Sequence, residues 1–158
     1  MKKQSGFTLI ELLITIAIAA VLLTLAAPSF VDTIRRNRIA TQANEILAAL
    51  NLARSEAVKR SRNVAVCPRQ STTSTACGGA GDWANGWVVR ANGSDLRVGE
   101  PLRTGTTFTG TESLVTFGPN GGASFASGAE QSTWVMTLDD KQRTIVINRQ
   151  GRASVEPN

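Results

Sequence analysis

The chain contains no histidine and no tyrosine, and it has only two cysteines, Cys67 and Cys77. Histidine is the commonest general base near neutral pH and the commonest metal ligand. Two cysteines without histidine make a poor zinc site. The glycine-rich stretch that begins at Gly78 lacks the lysine and the serine or threonine of a phosphate-binding loop. We therefore expect neither an enzyme nor a protein that holds a metal or another cofactor.

The net charge is mildly positive, at +5 from 17 basic and 12 acidic residues. Two of the basic residues, Lys2 and Lys3, precede a long apolar segment. The simpler interpretation of this bias is a solvated surface of mixed charge. Contact with nucleic acid or with acidic lipid is the alternative, which such a charge permits but does not require.

Residues 7–27 form an apolar run, FTLIELLITIAIAAVLLTLAA. As a helix this run is about 31 Å long, close to the hydrocarbon thickness of a bilayer, roughly 30 Å. Because Lys2 and Lys3 lie before it, the positive-inside rule predicts a single membrane span with the N-terminus in the cytoplasm. A cleaved secretory signal peptide is the alternative. Its cleavage site would have to lie at Ala26 and Ala27, where the following Pro28 is unfavourable.

Glu11 is the one ionisable residue inside the apolar run. An acidic group at mid-membrane is costly, and such residues are functional by default. After removal of the residues before the run, the next cation along the chain is Arg35, many helical turns away. The partner of Glu11 must therefore come from the new N-terminus or from another chain.

The string Gly6-Phe7-Thr8-Leu9-Ile10-Glu11-Leu12 resembles the prepilin signature of type IV pilins and of type II secretion pseudopilins. The resemblance implies that a prepilin peptidase cuts after Gly6 and methylates the new N-terminal residue, Phe7. It implies that Glu11 neutralises the N-terminal amine of a neighbouring subunit, and Pro28 matches the helix-loosening proline of the family. It also implies a protein held first in the bacterial inner membrane. From there it would pack with the major pilin and with other minor pilins or pseudopilins into a filament in the periplasm or at the cell surface.

The pattern divides the chain into a leader (1–6), a transmembrane or filament-core helix (7–28), an amphipathic helix (29–62) and a β-rich periplasmic or extracellular domain (63–158). Pro28 is expected to end or kink the helix, since proline lacks an N–H and clashes with the preceding turn. The apolar face of the second helix recurs at three- and four-residue steps: Ile39, Ala43, Ile46, Leu47, Leu50, Ala53, Ala57 and Val58. The basic cluster at residues 35–38 fits either lipid headgroups or a solvated helix face.

The sequence predicts short strands after residue 62, at 63–67, 87–90, 114–117, 134–138, 144–148 and 152–155. Pro68 is expected to end the first strand, with a loop from there to Gly81. Asn92-Gly93 and residues 139–141 are expected to be hairpin turns. The predicted fold is therefore α+β, a long N-terminal helix packed on a C-terminal antiparallel β-sheet domain.

Cys67 and Cys77 can form a disulfide if the domain is exported. Closing so short a loop stabilises the fold by about 3 kcal/mol on the chain-entropy model. Two buried free thiols are the alternative. Trp83 and Trp87 are expected to pack in the core, without a binding role.

Three further motifs resemble the GspH/FimT branch of minor pilins and pseudopilins: residues 53–57 (ARSEA), the Trp83-x-x-Gly86-Trp87-Val88-Val89 stretch and residues 148–152 (NRQGR). This resemblance implies a minor pilin that helps to initiate or cap a type IV pilus. A pseudopilin of type II secretion is the first alternative.

A DNA-binding minor pilin of natural transformation is the second alternative. FimT-like members of the branch carry a Gly-Arg-x-Arg motif implicated in DNA uptake, and here Ser154 replaces its second arginine. The cations that could contact phosphates are then Arg152 of the motif and its neighbours in sequence, Arg149, Lys141 and Arg143.

Overall fold

The computed structural model describes the backbone of residues 7–157, and the side chains of that range except residues 24–29 and 157. The predicted leader, with the cleavage residue Gly6, lies outside the described residues. The chain divides into two compact units, one ending at Arg36 and the other beginning at Asn37.

One helix, α1, runs from Leu9 to Arg60. Thr8 begins it, because its hydroxyl oxygen accepts the backbone N–H of Glu11 at 3.2 Å, as an N-cap does. The helix assignment continues past position 28, so the expectation that Pro28 ends the helix is wrong, and the alternative of a kink stays a prediction. A proline removes only one backbone donor from the ladder, and the bonds of the other turns carry the helix on. Among the described residues, no helix combines the length and the hydropathy of a membrane span.

The second half of α1 packs on the β domain through one face. Six of the eight residues predicted for that face are buried: Ile39, Ala43, Ile46, Leu50, Ala53 and Ala57. Leu47 is half-buried and Val58 is 51% exposed, so the predicted face was too wide at these positions. The helix ends because Ser61 takes a φ of 49° and the N–H of Arg62 returns to the carbonyl of Ala57 at 3.2 Å, a Schellman ending.

The β domain contains two antiparallel sheets. Its strands are β1 (Val64–Ser71), β2 (Ser74–Cys77), β3 (Trp87–Ala91), β4 (Ser94–Val98), β5 (Thr106–Gly110), β6 (Val115–Phe117), β7 (Ala123–Phe125), β8 (Gln131–Leu138), β9 (Lys141–Asn148) and β10 (Ala153–Pro157). A 3-10 helix, Ala80–Asn85, precedes β3. The first sheet has the order β4-β3-β1-β6-β7 with β2 paired to β1, and the second has the order β10-β9-β8-β5. This arrangement confirms the α+β fold.

Six of these strands, β1, β3, β6, β8, β9 and β10, correspond to the six predicted strands. The predicted turns are present as well. Asn92 and Gly93 have φ values of 51° and 79° and join β3 to β4, and Asp139, with a φ of 53°, begins the turn between β8 and β9. Positive φ at both central residues is the mark of a type I′ hairpin. Strands β2, β4, β5 and β7 were not predicted.

The expectation that Pro68 ends the first strand is wrong, because β1 continues to Ser71. The N–H of Arg69 bonds to the carbonyl of Gly86 at 3.0 Å. Since bonding direction alternates along an antiparallel strand, position 68 needs no donor toward β3. A proline is tolerated at such a position. The predicted loop after it contains β2 and the 3-10 helix instead.

The core lies between the two sheets and the buried face of α1. At its centre the rings of Trp83, Phe108 and Trp134 pack with centroids 4.9 to 5.9 Å apart. Gly110 makes room for this cluster, because a Cβ there would lie 1.9 Å from Cδ1 of Trp134. The expectation of a core role for Trp83 and Trp87 is confirmed by their exposures of 0% and 4%.

Candidate functional site

The N-terminal part of α1 presents apolar side chains on all sides. Phe7 is 86% exposed, and large apolar residues up to Leu23 are about half exposed or more: Leu9, Ile10, Leu12, Leu13, Ile14, Ile16, Ile18, Val21 and Leu22. A helix that is apolar all round is stable when lipid or other protein surrounds it. This segment is therefore the first candidate surface for assembly.

Glu11 interrupts this apolar surface. Its backbone N–H is used by the N-cap at Thr8. Its carboxylate has no hydrogen-bond or ionic partner within residues 7–157. The sequence predicts that Glu11 needs a partner from elsewhere, and in the folded chain too this partner must come from outside these residues.

The disulfide between Cys67 and Cys77 is formed, with Cα atoms 5.6 Å apart. It ties β1 to β2 and closes a short hairpin. The pairing continues in the backbone, where the N–H of Gly78 donates to the carbonyl of Pro68 at 2.8 Å. The alternative of two free thiols is therefore wrong.

Arg69 stabilises the same hairpin from inside, a role that the sequence analysis did not predict. Its side chain is buried, with the residue 8% exposed. The guanidinium donates to the carbonyl of Ser74 at 2.9 Å, to that of Thr72 by a short bond and to that of Gly99 at 3.4 Å. Each of the three guanidinium nitrogens thus donates to a backbone carbonyl, and this buried arginine stabilises the hairpin.

Arg149, one of the four predicted phosphate contacts, is held by the loop between β7 and β8. Its guanidinium lies 2.7 Å from the carboxylate of Glu130 and donates to the carbonyls of Gly128 and Ala129 at 2.6 and 3.1 Å. These bonds fix the position of the loop. They occupy the donors that a phosphate would need.

The other three candidates lie in different surroundings. Lys141 pairs with Asp140 at 2.6 Å in the turn that begins β9, whereas Arg152 is exposed just before β10. Lys141 begins β9 and Arg149 directly follows its last residue, so the two lie about 26 Å apart at the usual rise of a strand. Arg143 is half-buried beside α1. The structure therefore does not gather the four cations on one patch.

The glycine of the 148–152 motif has a structural role. Gly151 has a φ of 73°, and a Cβ at this position would lie 2.1 Å from the carbonyl oxygen of Gly121. The N–H of Ala123 also donates to the carbonyl of Arg149 at 2.8 Å. The motif thus locks the end of β9 to the loop before β7, because only glycine permits this approach.

One surface ion pair supports the hairpin of β3 and β4. Arg90 donates two hydrogen bonds to the carboxylate of Asp95, at 3.0 and 2.6 Å. The bond from Arg90, followed by one from Thr75, holds the pKa of Asp95 below its usual value. The carboxylate of Glu56 has a pKa lowered in the same way by Arg60.

Two family models match the chain. The model described as "Type II transport protein GspH" covers residues 42–151, which includes most of the β domain. The model described as "Prokaryotic N-terminal methylation motif" covers residues 1–27.

Similar solved structures are crystal forms of the type IV minor pilin FimU from Pseudomonas aeruginosa. One is 26% identical, with a TM-score of 0.60 over 77% of this chain and 90% of FimU. The second is 25% identical, with a TM-score of 0.57 over 75% of this chain and 92% of FimU. The four-stranded and six-stranded sheets described above thus belong to a known pilin-like fold.

Curated relatives match a shorter region. Two fimbrial proteins of Pseudomonas aeruginosa are each 36% identical over 64 residues, or 40% of this chain. The chain spans 41% of the length of these relatives. The match of the GspH model to well over half of the residues is the broader finding, and the chain belongs to the GspH family of pilin-like proteins and carries the N-terminal methylation motif.

Proposed function

We propose that the chain is a minor pilin, a structural subunit that helps to initiate or cap a type IV pilus. The observation that carries the proposal is the combination of an exposed, all-round apolar helix with a GspH-type β domain that resembles FimU. A helix of this kind requires lipid or neighbouring helices around it. A filament core provides neighbouring helices, and the β domain then faces outward.

The proposed life of the subunit begins in the bacterial inner membrane. Residues 7–28 span the bilayer once, with Lys2 and Lys3 on the cytoplasmic side. A prepilin peptidase cuts after Gly6 and methylates Phe7, in keeping with the methylation motif in residues 1–27. The β domain lies on the other side, where an oxidising compartment favours the disulfide between Cys67 and Cys77.

Glu11 directs assembly in this proposal. Its carboxylate has no partner within residues 7–157, and an unpaired acid in an apolar environment is unfavourable by about 3 kcal/mol on insertion scales. The free amine at Phe7 of an adjacent subunit supplies the missing cation. Pairing of the two groups favours one axial position of each helix over others, because only that position neutralises both charges.

Two substitutions test the two steps separately. Gly6→Val is expected to block processing, so immunoblots show the longer chain and mass spectrometry shows no methylated Phe7. Glu11→Gln is expected to be processed normally but to be depleted from sheared filaments, because the amide cannot neutralise an amine. A Gly6→Val chain of mature size, or normal filament content of Glu11→Gln, would contradict the corresponding step.

A pseudopilin of type II secretion is the second candidate, favoured by the description of the matching family model. The two candidates differ in the phenotype of a deletion strain. A minor pilin is needed for surface pili, whereas a pseudopilin is needed for release of secreted proteins into the medium. Loss of secretion with normal piliation would favour the pseudopilin.

A further inference from the structure

A cavity of about 280 Å³ lies between α1 and the free edge of the four-stranded sheet. We call it the edge cavity. It is lined by Ala40 and Asn44 of α1, Arg143 of β9 and Val155 of β10. It therefore combines an apolar floor with one cationic and one amide side chain.

Arg143 is the unusual member of this lining. It is half-buried, yet within residues 7–157 its guanidinium has neither a hydrogen-bond acceptor nor an ionic partner. Arg69, Arg90 and Arg149 of the same domain have acceptors. Arg38 and Arg54, half-buried on α1, lack one among the described residues, as Arg143 does. Partial loss of hydration without a partner costs a guanidinium free energy. An anion supplied from outside would offset this cost.

The neighbouring strand β10 offers backbone groups at the same place. It is the outermost strand in the order β10-β9-β8-β5. The N–H of Asn148 donates to the carbonyl of Arg152 at 3.1 Å, so these two residues form a hydrogen-bonded pair. Along two antiparallel strands, hydrogen-bonded and non-hydrogen-bonded pairs alternate from this pair onward. The N–H and C=O groups of Ala153 and Val155 therefore point away from β9, and no described residue takes them. Pro157 ends this open edge, since it has no N–H.

We propose that the edge cavity and β10 form the docking surface for an extended segment of a neighbouring filament subunit that carries an acidic side chain. The segment adds a strand beside β10 through Ala153 and Val155. Its carboxylate enters the edge cavity and accepts hydrogen bonds from Arg143 and from the amide of Asn44. This inference rests on the proposed function, because that function supplies the neighbouring subunit.

The same observations favour a carboxylate of a protein over a nucleic acid. Nucleic-acid affinity requires several cations that converge on phosphates. Here the edge cavity holds one arginine, and Lys141 and Arg149 of the same strand region are paired with Asp140 and Glu130. A single recessed guanidinium beside an open strand edge suits one acidic side chain on an extended peptide.

The experiment uses the full-length chain in cells that assemble the filament. A photo-crosslinking amino acid replaces Ser154, which is exposed on β10, and in a matched control it replaces Thr107, exposed on the opposite edge strand β5. We expect the Ser154 probe to give an adduct with another filament subunit, whose crosslinked peptide contains Asp or Glu. The Thr107 probe should not give this adduct.

Variants of Arg143 test the charge. Arg143→Gln should lower the adduct yield about tenfold, as expected for loss of a charge-assisted hydrogen bond, whereas Arg143→Lys should retain part of it. Arg152→Gln removes the same charge from an exposed position and should leave the yield unchanged. Arg143→Glu should abolish the adduct, and replacing the identified acid of the partner by lysine should restore it, which a folding defect would not allow.

The outcomes separate this inference from the proposed function. If the wild-type chain is absent from sheared filaments, the proposed function fails, and the docking surface fails with it. If the chain is present but the Ser154 probe gives no subunit adduct, or gives an adduct to nucleic acid or lipid, only the docking surface is refuted. An adduct that persists in Arg143→Gln and in Arg143→Glu refutes the recognition of an acid.

Discussion

Glu112 provides a quantitative test of how the loops of the β domain are held. This residue lies between β5 and β6 and is only 1% exposed. Its carboxyl group accepts the backbone N–H of Ser127 at 3.2 Å and a short hydrogen bond from the Ser127 hydroxyl. Its backbone carbonyl accepts the indole N–H of Trp83 at 2.9 Å. One residue therefore joins three segments that are distant in sequence.

Glu112→Ala should lower the free energy of unfolding by about 2 to 3 kcal/mol. The estimate combines an unsatisfied donor, worth about 1 to 3 kcal/mol when buried, with the small cavity left by the side chain. Ser127 is exposed, so water can bond to its N–H in the variant. The cost of the unsatisfied Ser127 donor therefore lies in the lower half of the range of about 1 to 3 kcal/mol. Glu112→Gln is the matched control, because it keeps the size and one acceptor, and should lose less than half as much.

The assay is denaturant unfolding of the full-length chain in detergent micelles, followed by tryptophan fluorescence. All three tryptophans, Trp83, Trp87 and Trp134, are buried in the β domain, so the signal reports that domain alone. A double-mutant cycle with Ser127→Ala should give a coupling energy of about 1 kcal/mol or more. A loss below about 0.5 kcal/mol for Glu112→Ala, the size of an ordinary surface substitution, would refute the reasoning.

Two further predictions concern the disulfide and the β3–β4 hairpin. The double substitution Cys67→Ala with Cys77→Ala should lower the free energy of unfolding by about 3 kcal/mol, because the disulfide closes a short loop. The same denaturant assay measures this loss, and an unchanged unfolding midpoint would contradict the prediction. Because the pKa of Asp95 is lowered in the folded state, its bond to Arg90 stabilises the fold at neutral pH, and this stability is lost as the pH falls below about 4. Asp95→Asn should therefore be less stable than the wild type at pH 7 and equal to it at pH 2, and a constant difference across that range would contradict the assignment.

The N-terminal signature could be interpreted from sequence because its information is local. Gly6, Phe7 and Glu11 lie within six positions, and the methylation-motif model matches the same region. The strands that alternate strongly between buried and exposed residues, such as β8, were also predicted. Strands β2 and β4 were missed because their residues are mostly exposed and polar, so they carry no hydrophobic alternation.

The roles of the arginines could not be predicted from the sequence, since each depends on distant partners. Arg149 resembles a free phosphate contact until the fold brings Glu130 and the carbonyls of the β7–β8 loop to it. Arg143 has no distinguishing neighbour along the chain, and only the approach of α1 to β9 and β10 gives it a recessed position. Spacing in a sequence identifies candidates, but burial and tertiary hydrogen bonds decide which charges remain available.

The buried face of α1 has a consequence for the time course of folding. Its residues Ile39 and Ala43 share one core with Ile145 and Ile147 of β9, roughly a hundred positions later, and contacts of such long range form slowly. The core of the β domain therefore cannot close until nearly the whole chain, up to Ile147, is available to fold. The disulfide between Cys67 and Cys77 closes a short loop, and once formed it shortens the search for the native pairing of β1 with β2.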